Sequence, residues 1–426
     1  MKQRTLWSVA SIAGLIATLV LSGCGSASGP KTSNGGAGGK LIVWDWKSSD
    51  KTAQNFVAKA KADFAKKHPG VTVDFVAQPF DNYYTLLGAA IQAGKGPDVM
   101  LFNGGGQLRD RANALIPLDQ YVAPDKQRLA GWDAFTKDGK IYAAPITLQG
   151  HPIYYNKTLY KKAGLDPDKP PTTWDAFLSA CAAVKKAANL PCLALGNKEG
   201  YGIQFWMSGM GSGIFTPAEY DGWIAGKRDW NSPDVKKMFS LWKQVNDLGL
   251  NTAGPNSTAM FMDQYTKFEG GKAANVIGLM SDVGGWHEMN PLIGADNLGV
   301  MLAPVVTPGA TPSLAYDGGV GYGVAKWTKD PSLAADLVRS LTSTDALTAY
   351  AGDAGAIAAD KTVKIAGGGP AAEAIAAEIP SGKPALHVAL SAKTQEVMGR
   401  VSQQLLSGGI TVDDGMKQLA TADQAS

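Results

Sequence analysis

Between Lys40 and Phe102 the hydrophobic pattern alternates between strand-like and helix-like spacing, and this alternation restricts the fold more than any other feature of the chain. Lys40-Leu41-Ile42-Val43-Trp44 is a β run. A helix opens near Thr52 and continues to Lys67, with Phe56, Ala60 and Phe64 recurring at i, i+4 and i+8 as a core-facing stripe. His68-Pro69-Gly70 stops it. Val71 to Val76 alternates as a strand, and Tyr83 to Ala93 reads as a second helix, ended by Gly94. Asp98-Val99-Met100-Leu101-Phe102 is a continuous apolar run of the kind buried in a parallel sheet. Strand, helix, strand, helix, strand is a βαβ series, so the opening unit is α/β.

The same class extends downstream. Strands are predicted at 141–146, 152–155 and 274–279, with a Gly-rich strand at 318–324. Helices are predicted from Thr172-Thr173-Trp174-Asp175 to about Ala188, over 233–248, 261–272 and 331–342, and through most of the Ala-rich tail at 371–419, broken between Pro380 and Pro384. With 426 residues, 45% of them hydrophobic, the chain has ample core for two domains of roughly 100–200 residues each. That hydrophobicity excludes a disordered chain, and 40 Lys+Arg against 37 Asp+Glu leaves no basic face for nucleic acid. Three cysteines are too few for a disulfide-built mini-fold.

The N-terminus is an address. Lys2 and Arg4 precede an apolar run from Leu6 to Leu21, then small residues, which together make a secretory signal over 1–23. Leu21-Ser22-Gly23-Cys24 resembles the lipobox of bacterial lipoproteins, which implies that Cys24 carries the lipid and begins the mature chain. Residues 24–39 follow as a Gly/Ser-rich tether with a reach of roughly 20 Å. Export and lipidation leave Cys181 and Cys192 as an even pair in an oxidising setting, which predicts a disulfide between the helix that Trp174 opens and the strand that follows it; two buried thiols are the alternative.

Several kinds of catalytic chemistry lack their residues. His287-Glu288 is followed by Met289-Asn290-Pro291, so there is no H-E-x-x-H. No Gly-Lys pair precedes Ser or Thr, and no G-x-S-x-G elbow occurs. His68, His151, His287 and His387 are scattered, so neither a metal nor any other cofactor is expected.

Ordered stretches carry a family resemblance: Phe64-Ala65-Lys66-Lys67-His68-Pro69-Gly70-Val71, Gly94-Lys95-Gly96-Pro97-Asp98-Val99, Asp138-Gly139-Lys140-Ile141-Tyr142-Ala143-Ala144-Pro145, Pro171-Thr172-Thr173-Trp174-Asp175-Ala176-Phe177, Phe268-Glu269-Gly270-Gly271-Lys272 and Asp317-Gly318-Gly319. In this order they resemble the carbohydrate-type solute-binding proteins of bacterial ABC importers, the family that includes the maltose-binding protein. The resemblance spans roughly 40–350 and is weak in the tail. It implies a periplasmic-binding-protein-like fold of two α/β lobes, 40–146 plus 304–343 and 147–303 plus 344–426, joined by three crossings. It also implies a monomeric, non-enzymatic receptor that is held by its lipid at the outer face of the cell membrane, with a carbohydrate ligand and a permease as partners.

Sugars present a C–H face for aromatic rings and a hydroxyl rim for amides and carboxylates. Trp46, Phe102 and Asn103 end strands one and three, where ligands gather in open α/β sheets. By similarity Gln149 and His151 lie just past the first crossing, and Glu199, Tyr201 and Trp206 fall in the second-lobe segment that meets sugar. Asp282 and Asp317 are acid candidates, with helix capping or a turn as the alternative for each. Another polar solute, such as a polyol phosphate, an extracellular hydrolase, and an adhesion or sensor module remain as competing readings.

Overall fold

Two sheets, each with its own helices, organise the chain, and their strands follow from the period changes above. The computed structural model describes residues 39–280, 285–365 and 367–425. The expected signal peptide, the expected lipidation site Cys24, nearly all of the expected tether and Asp282 lie outside the described residues.

The first lobe opens with β1 (Lys40–Asp45), α1 (Gln54–Lys67), β2 (Thr72–Ala77), α2 (Phe80–Ala93), β3 (Val99–Asn103) and the short α3 (Gly106–Arg109). The buried face of α1 is Phe56, Ala60 and Phe64, the stripe that its spacing prescribes. Gly94 closes α2 at φ 59°, a left-handed position that favours glycine. β4 (Ala143–Pro145) belongs to the same sheet, and β5 (Leu148–Gly150) leaves it.

The second lobe holds β6 (Ile153–Asn156), α4 (Trp174–Ala188), β7 (Leu193–Ala194), α5 (Gly202–Ile214), α6 (Pro217–Ile224), α7 (Pro233–Asp247), β8 (Asn275–Ile277) and β9 (Leu298–Met301). The side chain of Thr173 caps α4 by accepting the Ala176 N–H, as an N-cap threonine does. β10 (Tyr316–Gly318) pairs with β5, and β11 (Val320–Val324) returns to the first sheet. The helices α8 (Pro331–Leu341), α9 (Thr344–Ala354), α10 (Gly369–Glu378), α11 (Ala392–Leu406) and α12 (Val412–Gln424) complete the chain.

Strand order is β2-β1-β3-β11-β4 in the first sheet and β9-β6-β8-β7 in the second. β1 runs parallel to β2 and β3, with Val43 opposite Phe75 and Val99, and β11 closes antiparallel on β3 with Gly321 opposite Phe102. Between the sheets, β5 and β10 form an antiparallel ribbon with Asp317 opposite Gln149. A third passage lies beside it, through the Leu148 N–H to Ile357 carbonyl bond at 2.9 Å and the Ala359 N–H to Ile146 carbonyl bond at 3.0 Å.

The packing corrects two lobe boundaries. Residues 304–315 stay with the second lobe: the Val305 N–H bonds the Thr172 carbonyl at 2.8 Å, and the Ser313 N–H bonds Ser212 Oγ at 3.0 Å. Helix α9 belongs to the first lobe, because its buried face of Leu347, Tyr350 and Ala351 covers α1, with the Tyr350 and Phe56 rings 5.2 Å apart. The third crossing therefore falls after α9, near 357–360, rather than at Ser343. The predicted helix over 261–272 divides into a π-turn, Met260–Gln264, and a short helix, Tyr265–Glu269.

Asn189 ends α4 in the left-handed conformation, at φ 52°, and Pro191 follows, so the chain doubles back and joins Cys181 to Cys192 across 11 positions. A disulfide closing so short a loop restricts the unfolded chain and contributes about 2–3 kcal/mol. Urea titrations of oxidised and reduced protein should show a loss of that size; coincident curves would mean that the bridge adds nothing.

Candidate functional site

The site starts where β1 ends. Asp45 is fully buried there and accepts hydrogen bonds from the Ser48 N–H (2.9 Å), the Lys47 N–H (3.2 Å) and the Tyr322 hydroxyl (2.9 Å). These bonds hold the turn that presents Trp46, whose ring meets Tyr83 and Phe80 edge-on, with centroids 4.7 and 5.4 Å away. At the end of β3 the Asn103 N–H donates to the Tyr84 hydroxyl at 2.9 Å, and the Arg111 guanidinium lies 4.8 Å from the centre of the Tyr84 ring. Trp46, Phe80, Tyr84, Asn103 and Gln107 thus form one wall of a cleft of about 350 Å³.

The other wall is built on α5. Tyr201 precedes the helix and Phe205 lies four positions on, so both face the cleft with Gln204 between them. The Phe205 ring stacks on His151 at 4.7 Å with 22° between planes, and His151 meets His387 edge-on at 5.2 Å. Phe261, on the π-turn, lies 5.8 Å from Tyr201 and 6.3 Å from Phe80, so aromatic contact runs from one wall to the other. Glu199 supports this turn: its Oε2 accepts the Met260 N–H at 3.0 Å.

The crossing ribbon forms the floor, through Thr147, Gln149, Asp317, Gly318 and Gly319. Burial pushes the Asp317 carboxyl up to about 8, against an Oδ2 bond from the Ala385 N–H at 2.7 Å that favours the ionised form. Burial holds His387 down at about 3, and burial with the neighbouring His387 holds His151 well below its ordinary value. The two imidazoles are therefore neutral at pH 7. His387 Nδ1 lies 2.7 Å from Ser208 Oγ, and that oxygen accepts the His387 backbone N–H at 3.2 Å. His151 Nδ1 is buried and has no partner among the described residues.

The cleft gathers six of the expected residues: Trp46, Asn103, Gln149, His151, Tyr201 and Asp317. Phe102 and Trp206 are corrections. Phe102 is completely buried with Tyr83, Met100 and Phe135, because strand alternation turns it to the opposite side of the sheet from Leu101. Trp206 is 2% exposed, donates Nε1 to the Met238 carbonyl at 3.1 Å and packs against Trp242, because it lies on a helix, one residue round from Phe205. Glu199 is absent from the lining and acts on the turn that carries Phe261. Sequence reading missed Phe80, Tyr84, Phe205, Phe261, His387 and Gln395. Helical spacing from Tyr201 could have found Phe205; nothing local marks His387. Among the described residues, no three His, Cys, Asp or Glu side chains gather to hold a metal.

Residues 45–348 match the family of bacterial extracellular solute-binding proteins, and the chain belongs to it. The maltodextrin-binding protein of Bacillus subtilis is 26% identical over 76% of this chain and 74% of its own length. An ABC transporter extracellular-binding protein of Pyrococcus horikoshii (25% identical, 46% of this chain, 47% of that one) and a binding protein of Brucella abortus (31%, 54% and 55%) are matched over about half their length. In structure the chain resembles a chitin oligosaccharide binding protein (TM-score 0.78, 23% identity, 90% of this chain and 99% of that one). It also resembles the maltose-bound MalE3 of T. maritima (TM-score 0.75, 20% identity, 90% and 99%). The fold is that of the two-lobed sugar-binding proteins.

The buried carboxyl gives a pH signature. Asp317 has a folded pKa of about 8 against an ordinary 3.8, so its contribution to stability is complete below the ordinary carboxylate range and is lost as pH rises through about 8. His387 has the opposite sign: its contribution is present above 6.5 and is lost as pH falls towards about 3. Above pH 6.5 the Asp317 effect stands alone of the two, so the melting temperature of the protein should fall between pH 6.5 and about 8 and then level off, and that of Asp317→Asn should fall less. Parallel profiles would mean that Asp317 is already ionised in the folded state.

Proposed function

We propose that this chain is a lipid-anchored extracytoplasmic receptor that captures a neutral sugar or oligosaccharide in the cleft and delivers it to the permease of an ABC transporter, without enzymatic turnover and as a monomer. The observation that carries the reading is the pair of aromatic walls, Trp46, Phe80 and Tyr84 facing Tyr201, Phe205 and Phe261, with amides and neutral imidazoles between them. Rings of this kind cover the C–H faces of a sugar, while Asn103, Gln149, Gln204 and the protonated Asp317 serve its hydroxyls. The names of the maltodextrin-binding relative and of an arabinooligosaccharide-binding relative from Bacillus subtilis support the ligand class.

Lys47 in the lining favours a second reading, a phosphorylated polyol, and a matched relative is named as an sn-glycerol-3-phosphate-binding protein. A thermal-shift series of mono- and oligosaccharides beside glycerol 3-phosphate separates the two, since a ligand raises stability by RT ln(1 + [L]/Kd). Stabilisation by neutral sugars alone supports the first reading, and stabilisation by the phosphate alone replaces it.

Trp46→Ala and Tyr201→Ala should each weaken sugar binding by about 1–3 kcal/mol in calorimetry and leave the melting temperature of the free protein nearly unchanged. Trp206→Ala should instead lower stability by about 3–5 kcal/mol, as expected for a buried tryptophan. Unaltered affinity in both cleft variants would sink the aromatic-wall assignment. For the anchor, mass spectrometry of membrane-extracted protein should find an acylated N-terminal Cys24; a soluble product beginning elsewhere would refute it.

A further inference from the structure

We propose that the cleft receives a short saccharide, one or two pyranose units long, and encloses both of its ends, so that longer chains are excluded. The proposal rests on the carbohydrate reading above and adds the length of the ligand. It follows from where the two walls meet.

The first-lobe wall can be traced ring by ring. From the Gly104-Gly105-Gly106 turn it passes through Asn103, whose N–H donates to the Tyr84 hydroxyl. It continues to Trp46, 6.3 Å from the Tyr84 ring, and ends at Phe80, 5.4 Å from Trp46. The second-lobe wall starts at Val388, passes from His387 to Phe205 at 5.7 Å, and ends at Phe261, 6.2 Å further on. The walls touch at both ends. Phe80 and Phe261 meet edge-on, with 6.3 Å between centroids and 81° between planes. At the other end backbone meets backbone. A Cβ on Gly105 would lie 2.6 Å from the Val388 carbonyl oxygen, and one on Gly106 would lie 2.7 Å from the Ala392 nitrogen. Beside this contact Arg109 donates to the Val388 carbonyl, and Asp110 Oδ2 accepts the Ala392 N–H at 2.8 Å.

The space between the walls is therefore a lens with two shut ends, not a groove that runs through. An aromatic ring covers the C–H face of about one pyranose. The two ring-to-ring steps from His387 to Phe261 thus leave room for about two units. The volume, about 350 Å³, lies near the lower end of the roughly 300–1,000 Å³ of small-molecule sites. The polar groups are gathered in one place as well. Gln149 and Asp317 are paired on the floor, and the same lining holds His151 Nδ1, buried and without a partner among the described residues. Such a cluster serves the hydroxyls of one unit, whereas a long chain needs donors and acceptors repeated along a groove. A third unit would have to pass between Phe80 and Phe261 or between Gly105 and Val388, and would hold the lobes apart there. Any closer approach of the lobes would only reduce the space.

Titration calorimetry of the full chain tests the length with malto-, cello-, xylo- and galacto-oligosaccharides, each series running from one to five units. In a series that binds, the one- or two-unit member should be tightest, and affinity should fall at least about tenfold at three units. Phe80 and Phe261 are half-buried, so the double variant Phe80→Ala/Phe261→Ala opens one end without emptying a core. It should reduce the loss at the third unit to less than about threefold. Trp46→Ala, in the middle of its wall, should weaken members of one, two and three units alike. Affinity that holds or rises from two to five units overturns the proposal and leaves the carbohydrate reading intact. So does a loss at the third unit that is equal in the wild type and the double variant. Failure of every sugar to bind overturns the carbohydrate reading itself, and the length assignment with it.

Discussion

Three passages of chain cross between the lobes side by side, and the rest of the molecule is arranged around their hydrogen bonds. Gln149 pairs with Asp317, Gly319 bonds the Thr147 carbonyl, and Ile357 and Ala359 bond the Leu148 and Ile146 backbones. Each lobe has its own sheet, and the crossing ribbon lies between the two. One of its ends is fixed hard to the first lobe. Asp360, buried beside the ribbon, is bonded by Arg128, Thr344 and Thr362, and Arg128 is bonded in turn to Asp125 and the Thr342 carbonyl. A charged network with every member paired resists displacement, because breaking it would leave charges uncompensated in a poorly solvated place. The third crossing is thereby anchored to the first lobe at Asp360.

Because the ribbon also floors the cleft, the hinge and the site share residues. Asp317 and Gln149 lie in the ladder that relates the lobes and at the same time line the cavity. Burial there disfavours charge, and the groups respond by neutralising: Asp317 rises and the imidazoles of His151 and His387 fall. The neutral Asp317, His151 and His387 offer hydrogen bonds in both directions without the desolvation cost of ions. That environment suits an uncharged, hydroxyl-rich solute held between rings.

The two rims of the cleft meet by different physics. Phe80 and Phe261 meet as apolar rings, a contact that tolerates sliding and says little about direction. Arg109 and Asp110 meet backbone groups of fixed orientation, which demand one alignment. The first adds attraction between the walls, and the second fixes their register, so that His387 and Val388 arrive at the same place on each closure.

Much of the architecture was legible in the chain itself. The alternation over 40–102 determined a βαβ lobe, because burial periodicity is a local property of strand and helix, and the stripe Phe56, Ala60, Phe64 faces the core as its spacing requires. Trp46 and Asn103 could be placed by their position at strand ends. Sequence could not say which way an aromatic points where no element was assigned: Trp206 was expected in a segment that meets sugar, and the helix Gly202–Ile214 sends it inward and turns Phe205 towards the cleft. Nor could it place α9 on the first lobe or bring His387 beside His151 across more than half the chain. Local pattern reports which face of an element seeks burial. Which other surface provides that burial is settled by long-range packing, and this is why the elements were written in the sequence while the cleft existed only in the tertiary structure.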